Sequence, residues 1–274
     1  MSIDPMTAHT RYRQLGRRPL ALAAAALLLI NAGLGIVFLT NAMRGDAASE
    51  PRDVVAVVQA SAPASDVSAS QFCTGVLISP TRVLTAAHCV ASRAASSIDV
   101  ILDADNLCST GPIDGERVRV TAITPVASWA DAAILSLATP TSDHTAVQLA
   151  RTTPSHDADS PVVTAWGWGS GSIGGAAPCG VMPKTLQVVP LSRCAVELRA
   201  ETELRQAVPA SEYFCAVPSD SSPNTCLGDS GGPAFVIEHG QRRLAGITLS
   251  GRGCGATDPG LYLGVRGIRG AVDG

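Results

Sequence analysis

Beyond residue 53 the chain is built from short apolar runs separated by turn-forming residues. The runs are Val54–Gln59, Gly75–Ser79, Arg82–Thr85, Ile98–Leu102, Arg117–Ile123, Ala132–Leu137, Val162–Trp166, Thr185–Val189, Tyr213–Val217, Ala234–Ile237, Leu244–Leu249 and Leu261–Val265. Between Arg117 and Ile123 the period is plain, because Arg117 and Arg119 alternate with Val118 and Val120. Side chains two apart share one face of a strand, so this pattern predicts a half-buried strand. A dozen short strands over about 220 residues predict an all-β fold, a sandwich or a pair of barrels. One segment reads differently. Ser192 is placed to cap a predicted helix from Arg193 to about Gln206, with Glu and Arg on its outer face. The Gly-rich end, Gly264 to Gly274, leaves little room for a long terminal helix.

Ahead of the strands, Leu20 to Leu39 form a run of twenty residues whose only polar member is Asn31. As a helix it is about 30 Å long, the thickness of a bilayer core. Arg11, Arg13, Arg17 and Arg18 precede it, which predicts a cytoplasmic N-terminus and export of everything after Leu39. Arg17-Arg18 also permits a twin-arginine route. The run exceeds the roughly 7–15 residues of a removable signal core, and Thr40-Asn41-Ala42 is a mediocre cleavage site. A retained anchor over residues 1–40 is therefore preferred to a cleaved signal, followed by a polar linker over 41–53. The expected location is the membrane with an extracytoplasmic domain, or secretion if the segment is cut.

Charged residues make up 16% of the chain and the net charge is −3, with Lys184 the only lysine. No basic stripe with interleaved aromatics occurs, which argues against a nucleic-acid partner. The eight cysteines include no CxxC pair, and only Cys89 adjoins a histidine, so neither metal nor cofactor is expected. An even count behind an export segment reads as four disulfides formed in an oxidising space.

The chemistry concentrates in Asn224-Thr225-Cys226-Leu227-Gly228-Asp229-Ser230-Gly231-Gly232-Pro233. A serine hydroxyl needs a base beside it and donors facing a developing oxyanion. The competing reading of Gly228-Asp229-Ser230-Gly231-Gly232 taken alone is a plain turn, since all these residues are turn formers. Two upstream segments supply partners. Val83-Leu84-Thr85-Ala86-Ala87-His88-Cys89 puts a histidine just after an apolar strand, and Trp129-Ala130-Asp131-Ala132-Ala133-Ile134-Leu135 puts a carboxylate at the mouth of another. Each has a bland counterpart, a packed core histidine and a strand-entry turn residue.

Together, TAAHC, the DAAIL segment and GDSGGP resemble the three signature segments of the trypsin/chymotrypsin-like serine proteases. The gaps of 43 residues from His88 to Asp131 and 99 from Asp131 to Ser230 suit that family. Trp166-Gly167 in TAWGWG resembles its Gly-Trp-Gly landmark. The resemblance covers about Val54 to Val272 and implies two perpendicular six-stranded antiparallel β-barrels with the active site in the cleft between them. The first barrel is expected over about 54–150 and the second over about 151–274. It implies that Ser230 attacks peptide bonds of protein or peptide substrates, His88 carries the proton, Asp131 orients the imidazole, and the N–H groups of Gly228 and Ser230 form the oxyanion hole. It also implies disulfides Cys73–Cys89, Cys194–Cys215 and Cys226–Cys254, leaving Cys108 and Cys179 for each other.

By the same resemblance Asn224 stands at the floor of the primary specificity pocket, with Gly251 and Gly260 at its walls. A neutral Asn gives a buried substrate cation no counter-charge, so the pocket is expected to disfavour Arg and Lys. The counter-reading is that Asn224 only braces the pocket backbone. Where relatives carry Ser-Trp-Gly beside the substrate backbone, this chain has Leu249-Ser250-Gly251. Relatives are commonly activated at an Ile/Val-Val-Gly-Gly terminus whose ammonium pairs with the residue equivalent to Asp229. Here the nearest match is Val54-Val55, followed by Ala56-Val57. Two expectations follow: an internal donor holds Asp229, or the chain is cut near Arg52–Val54 and a strained version of the pairing forms. Two other readings stand beside this one. The G-x-S-x-G elbow of α/β-hydrolases needs a helix after the serine and a later Asp then His, whereas His239 precedes Asp258 here. A membrane-tethered binding module on an inactive protease fold is the other.

Overall fold

The computed structural model describes residues 51–274 apart from 64–66, 105, 110, 114, 142–145, 159–160, 206–208 and 220–221. The expected anchor at Leu20–Leu39, its arginines and most of the linker lie outside the described residues. Among the described residues no helix is long and apolar enough to cross a membrane.

Among the described residues, two closed barrels account for the twelve strands. The first is β1 (Val54–Gln59), β2 (Gln71–Ser79), β3 (Arg82–Thr85), β4 (Ile98–Leu102), β5 (Glu116–Pro125) and β6 (Ala133–Leu137), closed in the order β1-β2-β3-β6-β5-β4. The second is β7 (Val162–Gly167), β8 (Met182–Val189), β9 (Tyr213–Pro218), β10 (Pro233–Glu238), β11 (Gln241–Gly251) and β12 (Gly260–Gly264), closed as β10-β11-β12-β9-β8-β7. Neighbouring strands pair antiparallel throughout. Closure leaves no open edge, which suits short Val- and Ile-rich strands that would otherwise expose their backbones. Both barrels belong to one compact unit, Asp46–Gly274.

The alternation works as read. In β5, Val118 and Val120 are buried while Arg119 and Thr121 face solvent. β1 has no such alternation because its first five residues are buried on both faces. In the second barrel Tyr262 stands opposite Phe214 across β12 and β9, and their rings stack with centroids 4.9 Å apart. Such a pair adds about 0.5–1.5 kcal/mol beyond its area.

The helices differ in detail from expectation. His88 lies in α1, the single turn Ala87–Val90. Ser192 is not a cap but lies inside a 3-10 turn, Leu191–Cys194, entered from Pro190. α2 then runs Ala195–Arg205, and Gln206 lies outside the described residues. The chain closes with α3, Val265–Asp273, where little helix was expected. Val265 and Ile268 sit one turn apart and are fully buried, and this packing outweighs the helix-weakening Gly267 and Gly270. The Arg82 guanidinium donates to the Ala271 carbonyl, tying α3 to the first barrel.

Candidate active site

Strand pairing explains how His88 and Asp131 meet. β3 and β6 are neighbours with Thr85 opposite Ala133. His88 follows Thr85 by three residues and Asp131 precedes Ala133 by two, so both leave the same end of the pair. The Asp131 carboxylate, 1% exposed, makes two contacts with one residue. The His88 backbone N–H donates to Oδ1 at 2.8 Å, and ring Nδ1 stands 2.6 Å from Oδ2. An ionised carboxylate makes Nδ1 the donor, which leaves Nε2 as the basic nitrogen. The ring itself is 43% exposed.

Ser230 occupies the turn between β9 and β10 and is gripped from both barrels. Its carbonyl accepts from the Thr74 N–H of β2 at 2.9 Å, and the next N–H, of Gly231, donates to Thr248 O of β11 at 2.7 Å. The Ser230 hydroxyl donates to Leu249 O at 3.2 Å. His88, Asp131 and Ser230 line one cavity of about 500 Å³, together with Thr225, Leu227 and Leu249. A base with an orienting carboxylate and a hydroxyl on a common cleft is the constellation for nucleophilic acyl transfer.

Beside the serine, Asp229 points the other way, into the protein. Its Oδ1 accepts from Lys184 Nζ at 2.6 Å and from the Gly169 N–H at 2.9 Å, and its Oδ2 from the Cys226 N–H at 2.8 Å.

A family model described as Trypsin matches residues 45–271. The chain belongs to the trypsin family. It is 30% identical to a Trypsin of Saccharopolyspora erythraea over 207 residues, covering 71% of this chain and 82% of that one. It is 29% identical to a Trypsin of Sarcophaga bullata over 219 residues, 77% and 81% of the two chains. The Serine protease snk of Drosophila melanogaster is 31% identical over 199 residues, covering 69% of this chain and 46% of that protein.

Four disulfides brace this trypsin-family domain. Cys73–Cys89 fixes α1 to β2, Cys194–Cys215 pins the turn before α2 to β9, and Cys226–Cys254 joins the nucleophile loop to the segment after β11. Cys108–Cys179 links a first-barrel loop to the loop between β7 and β8, where Leu107 N also donates to Cys179 O at 2.8 Å. The Cys73 and Cys89 sulfurs lie with His88 at metal-ligand spacing, but they are bonded to each other and offer no thiolate.

Asn224 is 2% exposed, and its side chain is committed to the backbone. Its amide donates to Gly255 O at 3.0 Å and Asp258 O at 2.9 Å, and its Oδ1 accepts from the Thr225 N–H at 2.8 Å. Three of its four bonding places are used in bracing the loop. Gly251 lines the cleft and pairs with Gly260 across β11 and β12. Tyr262 shares a 2.9 Å hydrogen bond with the Thr225 hydroxyl. Burial pushes the Tyr262 hydroxyl far above its ordinary range; the Thr225 bond lowers it and the Asp229 charge raises it further.

Sequence reasoning left Lys184 without a role. A signal existed in β8, where Lys184, Leu186 and Val188 are all buried and share one face. The only lysine of the chain therefore stands on a core-facing position, where an unpaired ammonium is costly.

Proposed function

We propose that the chain is a serine endopeptidase using Ser230, His88 and Asp131. What supports this is the His88–Asp131 pair opening onto the cleft that Ser230 faces. The Ser230 hydroxyl leaves Leu249 O and passes its proton to His88 Nε2 as Oγ bonds to the scissile carbonyl carbon. The carbonyl oxygen becomes an oxyanion held by the N–H groups of Gly228 and Ser230. The imidazolium, stabilised by Asp131, returns the proton to the leaving amine as the C–N bond breaks. Water repeats the sequence on the acyl-enzyme and releases the acid.

Substrate preference follows from the walls of the cleft. Asn224 brings no charge, and Leu227 and Ile173, 68% and 73% exposed, stand at the cleft as apolar side chains. An uncharged, apolar residue before the scissile bond suits these side chains, and Asn224 offers a lysine or arginine no counter-ion; the charged groups at the cleft are elsewhere, at Glu201 and Arg252. The protease domain acts outside the cytoplasm, held by Leu20–Leu39 or released by its cleavage, and its four disulfides suit that compartment.

A peptide-library digest with the purified protein tests the reading. Cleavage after uncharged residues is expected, and Ser230→Ala abolishes it. Dominant cleavage after Arg or Lys overturns the pocket assignment, and a library left intact overturns the enzyme.

A further inference from the structure

Lys184 and Asp229 form a wholly interior ion pair, with side chains 2% and 1% exposed. The carboxylate is enclosed as well as paired. Gly167 and Gly169 flank it so closely that a Cβ at either would stand 2.3 or 2.1 Å from a carboxylate oxygen. Lys184 Nζ spends a second donor on Gly167 O at 3.3 Å. Nineteen of the twenty basic residues of this chain are arginine, and the exception is the one facing Asp229. An ammonium is a compact point charge with three rotatable donors, and two of them are in use here, on Asp229 and on Gly167 O.

The direction of the Asp229 side chain sets the backbone on either side of it. Gly228 precedes it with φ +99°, and Gly228 O is turned onto Gln71 Nε2 at 2.9 Å and Thr74 Oγ1 at 2.8 Å. Ser230 follows it. The two N–H groups assigned to the oxyanion thus belong to the residues adjoining the anchored carboxylate. The segment that delivers Lys184 is itself fastened, by Cys108–Cys179 three residues before β8 and by the Ser170 N–H donating to Leu227 O at 3.0 Å.

A terminus cut at Val54 has no comparable access. Val54 opens β1, is 3% exposed, pairs with Val76, and its N–H donates to Pro51 O at 3.2 Å. A nitrogen at the start of a paired, buried strand is not free to turn toward Asp229 without giving up that pairing.

We propose that Lys184 is a positioning residue that takes the place of a chain-terminal ammonium, giving the unprocessed chain an active-shaped nucleophile loop. The proposal rests on the protease reading above and removes the need for an activating cut.

The test combines fluorophosphonate labelling with turnover of a peptide amide, using the full chain. Intact mass of the labelled wild-type protein is expected to include the linker up to Asp53. Label found only on chains beginning at about Val54 overturns the proposal, while no label on any form sinks the protease reading and the proposal with it. Lys184→Met is expected to lower kcat by about 10²–10³-fold with a smaller change in KM, the size of losing an oxyanion donor. Unchanged kcat in a folded Lys184→Met overturns the proposal. Should that variant not fold, Lys184→Met/Asp229→Asn removes the unpaired charge. Its folding with wild-type kcat makes the pair merely structural and overturns the proposal; its folding with kcat lost supports it.

Discussion

Asp131→Asn should lower kcat on a peptide amide about 10⁴-fold while the protein stays folded, the magnitude that the corresponding change has in this family's template. The reason lies in the geometry around His88. Asp131 Oδ2 accepts from Nδ1 at 2.6 Å, which leaves Nε2 without a proton and ready to take one. An asparagine that turns its NH₂ to Nδ1 donates there instead, and the proton moves to Nε2. The base is then blocked on the side that faces the cleft. The second contact, from the His88 N–H to Oδ1 at 2.8 Å, is one an asparagine oxygen can still accept, so the local fold should survive. Circular dichroism and kcat together check this, and a loss below tenfold would show that Asp131 does not set the tautomer.

Gly231→Ala should destabilise the domain severely. Gly231 has φ +81°, where a side chain is strained whatever the space. An added Cβ would also stand 2.2 Å from Thr85 Oγ1 and 2.5 Å from both Ala86 N and Thr74 O. Two of those atoms are backbone and one is the strand that leads to His88, so relief means separating the two barrels at the site. A loss of more than about 3 kcal/mol is expected from overpacking and strain together. Denaturant unfolding measures it, and a variant within about 0.5 kcal/mol of wild type would mean that the turn is looser than its contacts imply.

Much of the site was legible because its pieces are local. His88 beside Cys89 after an apolar strand, Asp131 before another, and Ser230 among glycines each read from a window of about ten residues. The twelve strands were legible for the same reason, since alternation such as Arg117 to Val120 is a short-range signal. What escaped depends on which distant segments meet. The Lys184–Asp229 pair joins residues 45 apart, through the pairing of β7 with β8 and the inward turn of Asp229. An internal donor for Asp229 was one of two expectations; its identity needed the fold. Asn224 could be read as a selector or a brace, and its bracing bonds depend on a fold that brings Gly255 and Asp258 beside it. α3 was hidden because Gly267 and Gly270 mask a helix whose stability comes from burying Val265 and Ile268.

The central claim is that Ser230 and His88 work as one unit across the two barrels. Turnover of a peptide amide by Ser230→Ala, His88→Ala and the double variant tests it most directly, because groups that share one proton transfer lose their effect together. Each single change should lower kcat about 10⁶-fold, and the double should be no worse than either. Losses that multiply in the double variant, or a His88→Ala enzyme with kcat near wild type, would contradict the account.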